Sequence, residues 1–248
     1  MSERQSSDQH TAYHDIGVAE AQDQQGTEPT TASSSAVMMR ALGLIATICG
    51  LIIVSSYELT LDAVANNKKI STERAVFKVI PGASEVREFV ATTGGIQPAG
   101  PTVPEGAVKF FGAYDKAGNL KGIAAEGVAK GYADEVRILY AYDPARQVIT
   151  GMSVVTQHET PGIGDKVITD KDFNKNFEAL DVKLADDMKA IANAIKVVKH
   201  GTKQRPWEID AIAGTTVTSK AVGKGIRDST EKLLPKLLPN VAKLKETK

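Results

Sequence analysis

Two short runs hold the side chains in this sequence that could do chemistry. The first is Asp210-Ala211-Ile212-Ala213-Gly214-Thr215-Thr216-Val217-Thr218-Ser219, which sets an acidic residue, a glycine and three further hydroxyls around Thr216. Lys220-Ala221-Val222 and the residues after it read as the start of a helix. The N–H groups of a helix's first turn lack intrahelical partners and point outward, so such a spot favours a phosphate. A threonine there can bind a phosphate or accept one as an ester. Local sequence alone leaves a plainer reading open, in which Thr218 or Ser219 is an N-cap. The second run is His158-Glu159-Thr160-Pro161-Gly162-Ile163-Gly164-Asp165-Lys166. Its glycines let backbone approach a flat ligand closely and permit positive φ. Glu159 and Lys166 each also read as surface charges, and His158 as a loop-orienting or exposed side chain.

Together, an E-T-P-G-[LI]-G loop and a later D-x-x-[ST]-G-A-T-x-[TS]-S element resemble the FMN-binding domain found in the G subunits of Rnf-type ion-translocating oxidoreductases. The related C subunits of sodium-pumping NADH:quinone oxidoreductases share both. The resemblance implies that FMN is carried by Thr216 through a phosphodiester, attached by a separate flavin transferase. It further implies a cofactor site drawn from Asp210, Gly214, Thr215, Thr218, Ser219, Glu159, Thr160, Gly162, Ile163, Gly164 and Tyr132. Gly131-Tyr132 is similar to the family's G-Y-x-G element, with Asp134 in place of its second glycine. Tyr132 reads either as a flavin-packing ring or as a half-buried strand tyrosine. Two positions depart from the pattern: Ala213 stands where the family has Ser or Thr, and Thr215 where it has Ala. Thr215 is thereby a rival acceptor one residue early. No catalytic acid–base pair is expected, because a flavin brings the redox chemistry and the protein holds and tunes it.

Composition narrows the classes. The chain has 248 residues, 42% of them hydrophobic, with 30 basic and 30 acidic side chains. It can bury the core of one moderate domain, and it presents no basic field for nucleic acid. The single cysteine, Cys49, excludes an internal disulfide or a multi-cysteine metal cluster. No metal site is expected; His10 and His14 have helical metal-pair spacing, but in a polar stretch with no sign of a helix.

Three segments follow. Residues 1–35 are polar without apolar periodicity and are expected to be disordered. Residues 36–57 contain the uncharged run Ala41 to Tyr57, at the short end of the roughly 20 residues of a membrane span. Residues 36–39 lengthen it if Arg40 snorkels, and we expect one uncleaved transmembrane anchor. A buried core helix is the alternative. Residues 58–248 are expected to form one α+β FMN-binding domain with an antiparallel sheet. In it, Leu59 to Val79 is helical and stops at Ile80-Pro81-Gly82. Ala107–Tyr114 reads as a strand, Asp115–Asn119 as a turn into Leu120–Ala124, and Val136–Tyr142 with Val148–Val155 as a hairpin through Asp143-Pro144. Leu184, Met188, Ile191, Ile195 and Val198 fall at helical spacing, which predicts an amphipathic helix.

Lys68, Lys69 and Arg74 after the apolar run do not favour a cytoplasmic N-terminus by the positive-inside rule. The resemblance implies that topology nonetheless: a single-pass protein of the cell inner membrane with its FMN domain on the periplasmic side. It also implies the other membrane subunits of an Rnf-type complex as partners, with this chain as an electron-carrying subunit of the oxidoreductase. A stand-alone tethered flavoprotein and a scaffold that has lost its flavin are the alternatives.

Overall fold

The computed structural model describes residues 35–100 and 102–246. The expected disordered tail, with His10 and His14, lies outside the described residues apart from Ser35, which is already helical. The chain divides into two compact units, Met1–Glu58 and Leu59–Lys248. In the first, the described residues belong to helix α1 (Ser35–Val79), which is long and apolar enough to cross a membrane. Its Leu42, Leu44, Ile45, Leu51, Ile52 and Ile53 are exposed, which goes against the core-helix alternative: the uncharged run Ala41 to Tyr57 within this helix suits a lipid solvent.

The second unit is built on a seven-stranded antiparallel sheet. Its strands are β1 (Glu85–Thr92), β2 (Gly95–Pro98), β3 (Val108–Tyr114), β4 (Leu120–Lys130), β5 (Glu135–Asp143), β6 (Val148–Thr156) and β7 (Leu180–Asp181), in the order β2-β1-β3-β4-β5-β6-β7. Two short helices, α2 (Lys166–Thr169) and α3 (Lys171–Lys175), lie between β6 and β7. After β7 come β8 (Lys196–Val198) and β9 (Glu208–Asp210), paired parallel to each other, then α4 (Thr216–Leu237), a 3-10 turn at Leu238–Asn240 and α5 (Val241–Glu246). Expected and observed elements agree for the strand at Val108–Tyr114, the turn at Asp115–Asn119 and the β5–β6 hairpin. Asp115 Oδ1 accepts from Ala117 N and Asn119 N at 2.9 Å, and Asp143 Oδ1 accepts from Ala145 N at 2.9 Å.

Successive side chains on a strand point to opposite faces, and here both faces are covered. Phe110, Ile138, Tyr140, Tyr142 and Ile149 meet Val222, Ile226, Leu233 and Leu234 of α4. Their strand neighbours Phe111, Leu139 and Ala141 meet Val76, Val79 and Ile80 at the end of α1. A polar chain fastens α4 to the sheet: Tyr140 Oη and Ser229 Oγ are 2.9 Å apart, and Ser229 Oγ donates to Glu126 O at 2.7 Å. Burial pushes the Tyr140 phenol well above its ordinary pKa, against the opposing effect of the Ser229 hydrogen bond, so the hydroxyl stays neutral.

One expected element is absent. The segment from Leu184 to Val198 is not a helix. Leu184 bridges Ile191 across a tight turn in which Ala185 N donates to Ala190 O at 2.8 Å and Met188 takes φ 59°. Positive φ halts a right-handed helix. Ile195 and Val197 are claimed by the core and Val197 pairs with Ile209, an environment that suits β-branched side chains better than a helix does.

Helix α4 and strand β4 touch backbone to backbone. A Cβ on Gly127 would lie 2.5 Å from Gly225 O, and one on Gly225 would lie 3.2 Å from Val128 N. At Gly151 the nearest atom to a built Cβ is Val79 O at 3.5 Å, an ordinary contact. Gly127→Ala is therefore expected to destabilise the domain by about 1–3 kcal/mol, while Gly151→Ala has a much smaller effect. Thermal denaturation of the detergent-solubilised chain checks the difference.

Candidate functional site

The start of α4 is shaped by its preceding loop. Gly214 takes φ 80°, a conformation open to glycine at no steric cost, and turns the chain so that Thr215 caps the helix with its backbone. Thr215 O accepts from Ser219 N at 3.0 Å. Ser219, fully buried, donates from Oγ to Thr215 O at 2.9 Å and accepts from Ile212 N at 3.2 Å. The plain N-cap reading of Thr218 or Ser219 is thus replaced: the cap is Thr215, and the other two lie inside the first turns.

The hydroxyls around this helix start have different employment. Thr215 is 3% exposed and donates from Oγ1 to Ile163 O at 2.9 Å, so it ties the two motif loops together. Thr218, also buried, donates from Oγ1 to Glu159 Oε2 at 2.7 Å. Thr216 is exposed, and among the described residues no partner engages its hydroxyl. The two adjacent candidate acceptors are therefore distinct: one is a buried fastener and the other faces solvent at the helix N-terminus.

Opposite lies the loop after β6. Gly164 N and Ile163 N both donate to Thr160 O, at 2.9 and 3.2 Å, closing a turn in which Gly162 has φ 78°. Between the two walls is a cavity of about 340 Å³ lined by Tyr132, Glu159, Thr160, Ile163, Gly164 and Gly214 to Thr218. Tyr132, Ile163 and Val217 put exposed apolar surface on it, at 74%, 54% and 51% exposure. Tyr132 belongs to the turn between β4 and β5, not to a strand, which removes the half-buried strand reading. Glu159 is no surface carboxylate; it is 6% exposed. Lys166 is exposed, and His158 pairs with Asp134 at the surface, 3.1 Å from its Oδ2.

Three of the expected site residues are not brought to the cavity. Asp210 accepts from Gly201 N at 2.8 and 3.0 Å through its two oxygens, with His200 Nδ1 3.6 Å from Oδ2. Asn176 adds to this fastening, accepting from Asp210 N at 3.0 Å and from Lys203 Nζ at 2.9 Å. Desolvation draws the Lys203 ammonium below its ordinary pKa, against the attraction of Asp210 and Glu208. Asp210 therefore anchors the approach to the helix. Ser219 is buried under its first turn, and Gly162 is not among the lining residues. Val217 is a lining residue that motif reasoning passed over; its place between Thr216 and Thr218 in a helix's first turn was the signal for it.

Comparison with known proteins agrees with this architecture. Residues 131–231 match the model of the FMN-binding domain. The chain is also similar to the G subunits of ion-translocating complexes. It is 37% identical over 105 residues to the G subunit of the Na(+)-translocating ferredoxin:NAD(+) oxidoreductase complex of Acetobacterium woodii, covering 42% of this chain and 45% of that protein. It is 28% identical over 186 residues to the G subunit of the proton-translocating ferredoxin:NAD(+) oxidoreductase complex of Clostridium ljungdahlii, covering 75% of this chain and 84% of the relative. Among solved structures, Shewanella oneidensis NqrC superposes with a TM-score of 0.54 at 19% identity, covering 73% of this chain and all of that one. The C subunit of the Na(+)-translocating NADH-quinone reductase from Parabacteroides distasonis gives 0.55 at 18% identity, covering 71% and 96%. These two establish the fold.

The unequal employment of the two threonines has a measurable consequence. Thr215→Val removes the part-buried hydrogen bond between the loops and is expected to cost about 1 kcal/mol, lowering the thermal midpoint. Thr216→Val, at an exposed and unengaged hydroxyl, is expected to stay within about 0.5 kcal/mol of the parent. Parallel melting curves check both.

Proposed function

We propose that this chain is a membrane-anchored flavoprotein subunit that relays electrons through FMN joined covalently to Thr216, within an Rnf-type ion-translocating complex. The observation that carries the reading is the exposed Thr216 hydroxyl in the first turn of α4, on a cavity whose far wall is the Glu159–Gly164 loop. The donor set suits FMN. First-turn N–H groups and the positive end of the helix dipole favour its phosphate, with Thr216 Oγ1 in the phosphodiester. Tyr132, Ile163 and Val217 offer apolar surface to a flat ring, while Thr160 and loop N–H groups offer hydrogen bonds to its polar edge.

When bound, FMN supplies one- and two-electron chemistry. The protein's share is to hold it, shield it and set its surroundings. A covalent bond prevents loss of the cofactor from a domain outside the cytoplasm, which is the topology we propose, with α1 as the anchor and the other membrane subunits as partners. A flavin transferase performs the attachment. Of the two departures from the family pattern, Thr215 has a structural occupation in its bond to Ile163, and Ala213 is exposed.

The test is flavin fluorescence of the denatured protein in a gel, after co-expression with a flavin transferase. The wild-type band is expected to fluoresce, Thr216→Ala to lose the signal, and Thr215→Ala to retain some of it. No fluorescence in the wild type would overturn the covalent reading, and a signal surviving Thr216→Ala would move the acceptor elsewhere. For topology, alkaline phosphatase fused to the C-terminus is expected to be active, and an inactive fusion would place the domain inside.

A further inference from the structure

We infer that Glu159 is a positioning residue: a buried latch that joins the three segments lining the cavity and spends its carboxylate on the protein, not on the ligand. The inference deepens the proposed flavin site and rests on that reading only for what the latch holds in place. Three segments far apart in sequence meet at this side chain. Oε2 accepts from Thr218 Oγ1 of α4 at 2.7 Å, and Oε1 accepts from Ala133 N in the β4–β5 turn at 3.1 Å, with Asp134 N at 3.5 Å. The backbone N–H of Glu159 is itself held, donating to Gln157 Oε1 at 2.6 Å. Both carboxylate oxygens are thus engaged within the domain.

The packing around the side chain is built for it. A Cβ on Gly131 would strike Oε1, and a Cβ on Gly164 would strike the Glu159 side chain at its own Cβ. Glycine at both positions leaves the room that the carboxylate fills. Among the described residues no Lys, Arg or His pairs with it. Its charge is balanced by N–H and O–H dipoles and by the positive end of α4. A carboxylate removed from this place leaves the Ala133 amide of the turn and the buried Thr218 hydroxyl without their partner. The turn at Gly131–Asp134, which bears Tyr132, then loses its tie to the helix that bears Thr216.

Hydrogen exchange on the full chain in detergent, produced without flavin transferase, tests the latch apart from flavin. In Glu159→Ala the Ala133 amide is expected to exchange at least tenfold faster, with β5 and β6 unchanged. Gly131→Ala, which displaces an intact carboxylate, is expected to do the same. Glu159→Gln is expected to restore protection, because its amide oxygen can accept from Ala133 N while its amide nitrogen donates to Thr218 Oγ1. Unchanged exchange in Glu159→Ala, or failure of glutamine to rescue, would overturn the latch. If Glu159→Ala does not fold, Thr218→Val reads the same coupling. Faster exchange at Ala133, which meets Thr218 through Glu159, supports the inference, and unchanged exchange overturns it. A wild-type chain that never takes up flavin would sink the functional proposal and leave these exchange results standing.

Discussion

The approach of α4 to β4 through Gly127 and Gly225 fixes much of what this domain can do. With no side chain on either residue, helix and strand backbones come together, and the helix axis is held at a separation no larger residue permits. Val222, Ile226, Leu233 and Leu234 then fill the space on the sheet face around this contact. The Ser229 bridge from Tyr140 to the Glu126 carbonyl stops the helix from sliding along the strand. Because the helix is fixed along its length, its first turn is fixed too. That turn carries Thr216.

A rigid helix start is of use only if the opposite wall is equally constrained. Here that constraint comes from side-chain hydrogen bonds between loops, with no strand pairing across the cavity. Thr215 grips Ile163 O, Thr218 grips Glu159, and Glu159 grips the β4–β5 turn. Such bonds are individually modest in net stability, and breaking one is costly where it strands a buried partner, as at the Thr215 and Thr218 hydroxyls. The result is a cavity that combines the exposed apolar side chains of Tyr132, Ile163 and Val217 with the helix start at Thr216.

Much of the architecture was legible in the residues. The β5–β6 hairpin follows from two apolar runs around Asp143-Pro144, the turn at Asp115–Asn119 from its Asp and Gly, and the end of α1 from Pro81-Gly82. The segment from Leu184 to Val198 departs from its helical spacing because spacing alone cannot tell a helix face from side chains that a turn and a short strand each deliver to the same core. Its Ile and Val content pointed the other way, toward extended pairing, and tertiary contact made that choice.

The sequence by itself determined which chemistry was available: an uncharged span suited to lipid, two loops rich in glycine and hydroxyls, and a helix start able to hold phosphate. These are local properties, set by side-chain type, backbone freedom and hydrogen bonds a few residues apart. Tertiary structure decided which of two neighbouring threonines is exposed and which is a fastener. It also decided that Asp210 braces the approach to the helix instead of lining the cavity, and that Glu159 is buried. Each outcome depends on partners distant along the chain: Ile163 for Thr215, Gly201 and Asn176 for Asp210, Ala133 and Thr218 for Glu159. No local pattern encodes such pairings, because the free energy of burying a hydroxyl or a carboxylate depends on which partners the fold brings to meet it.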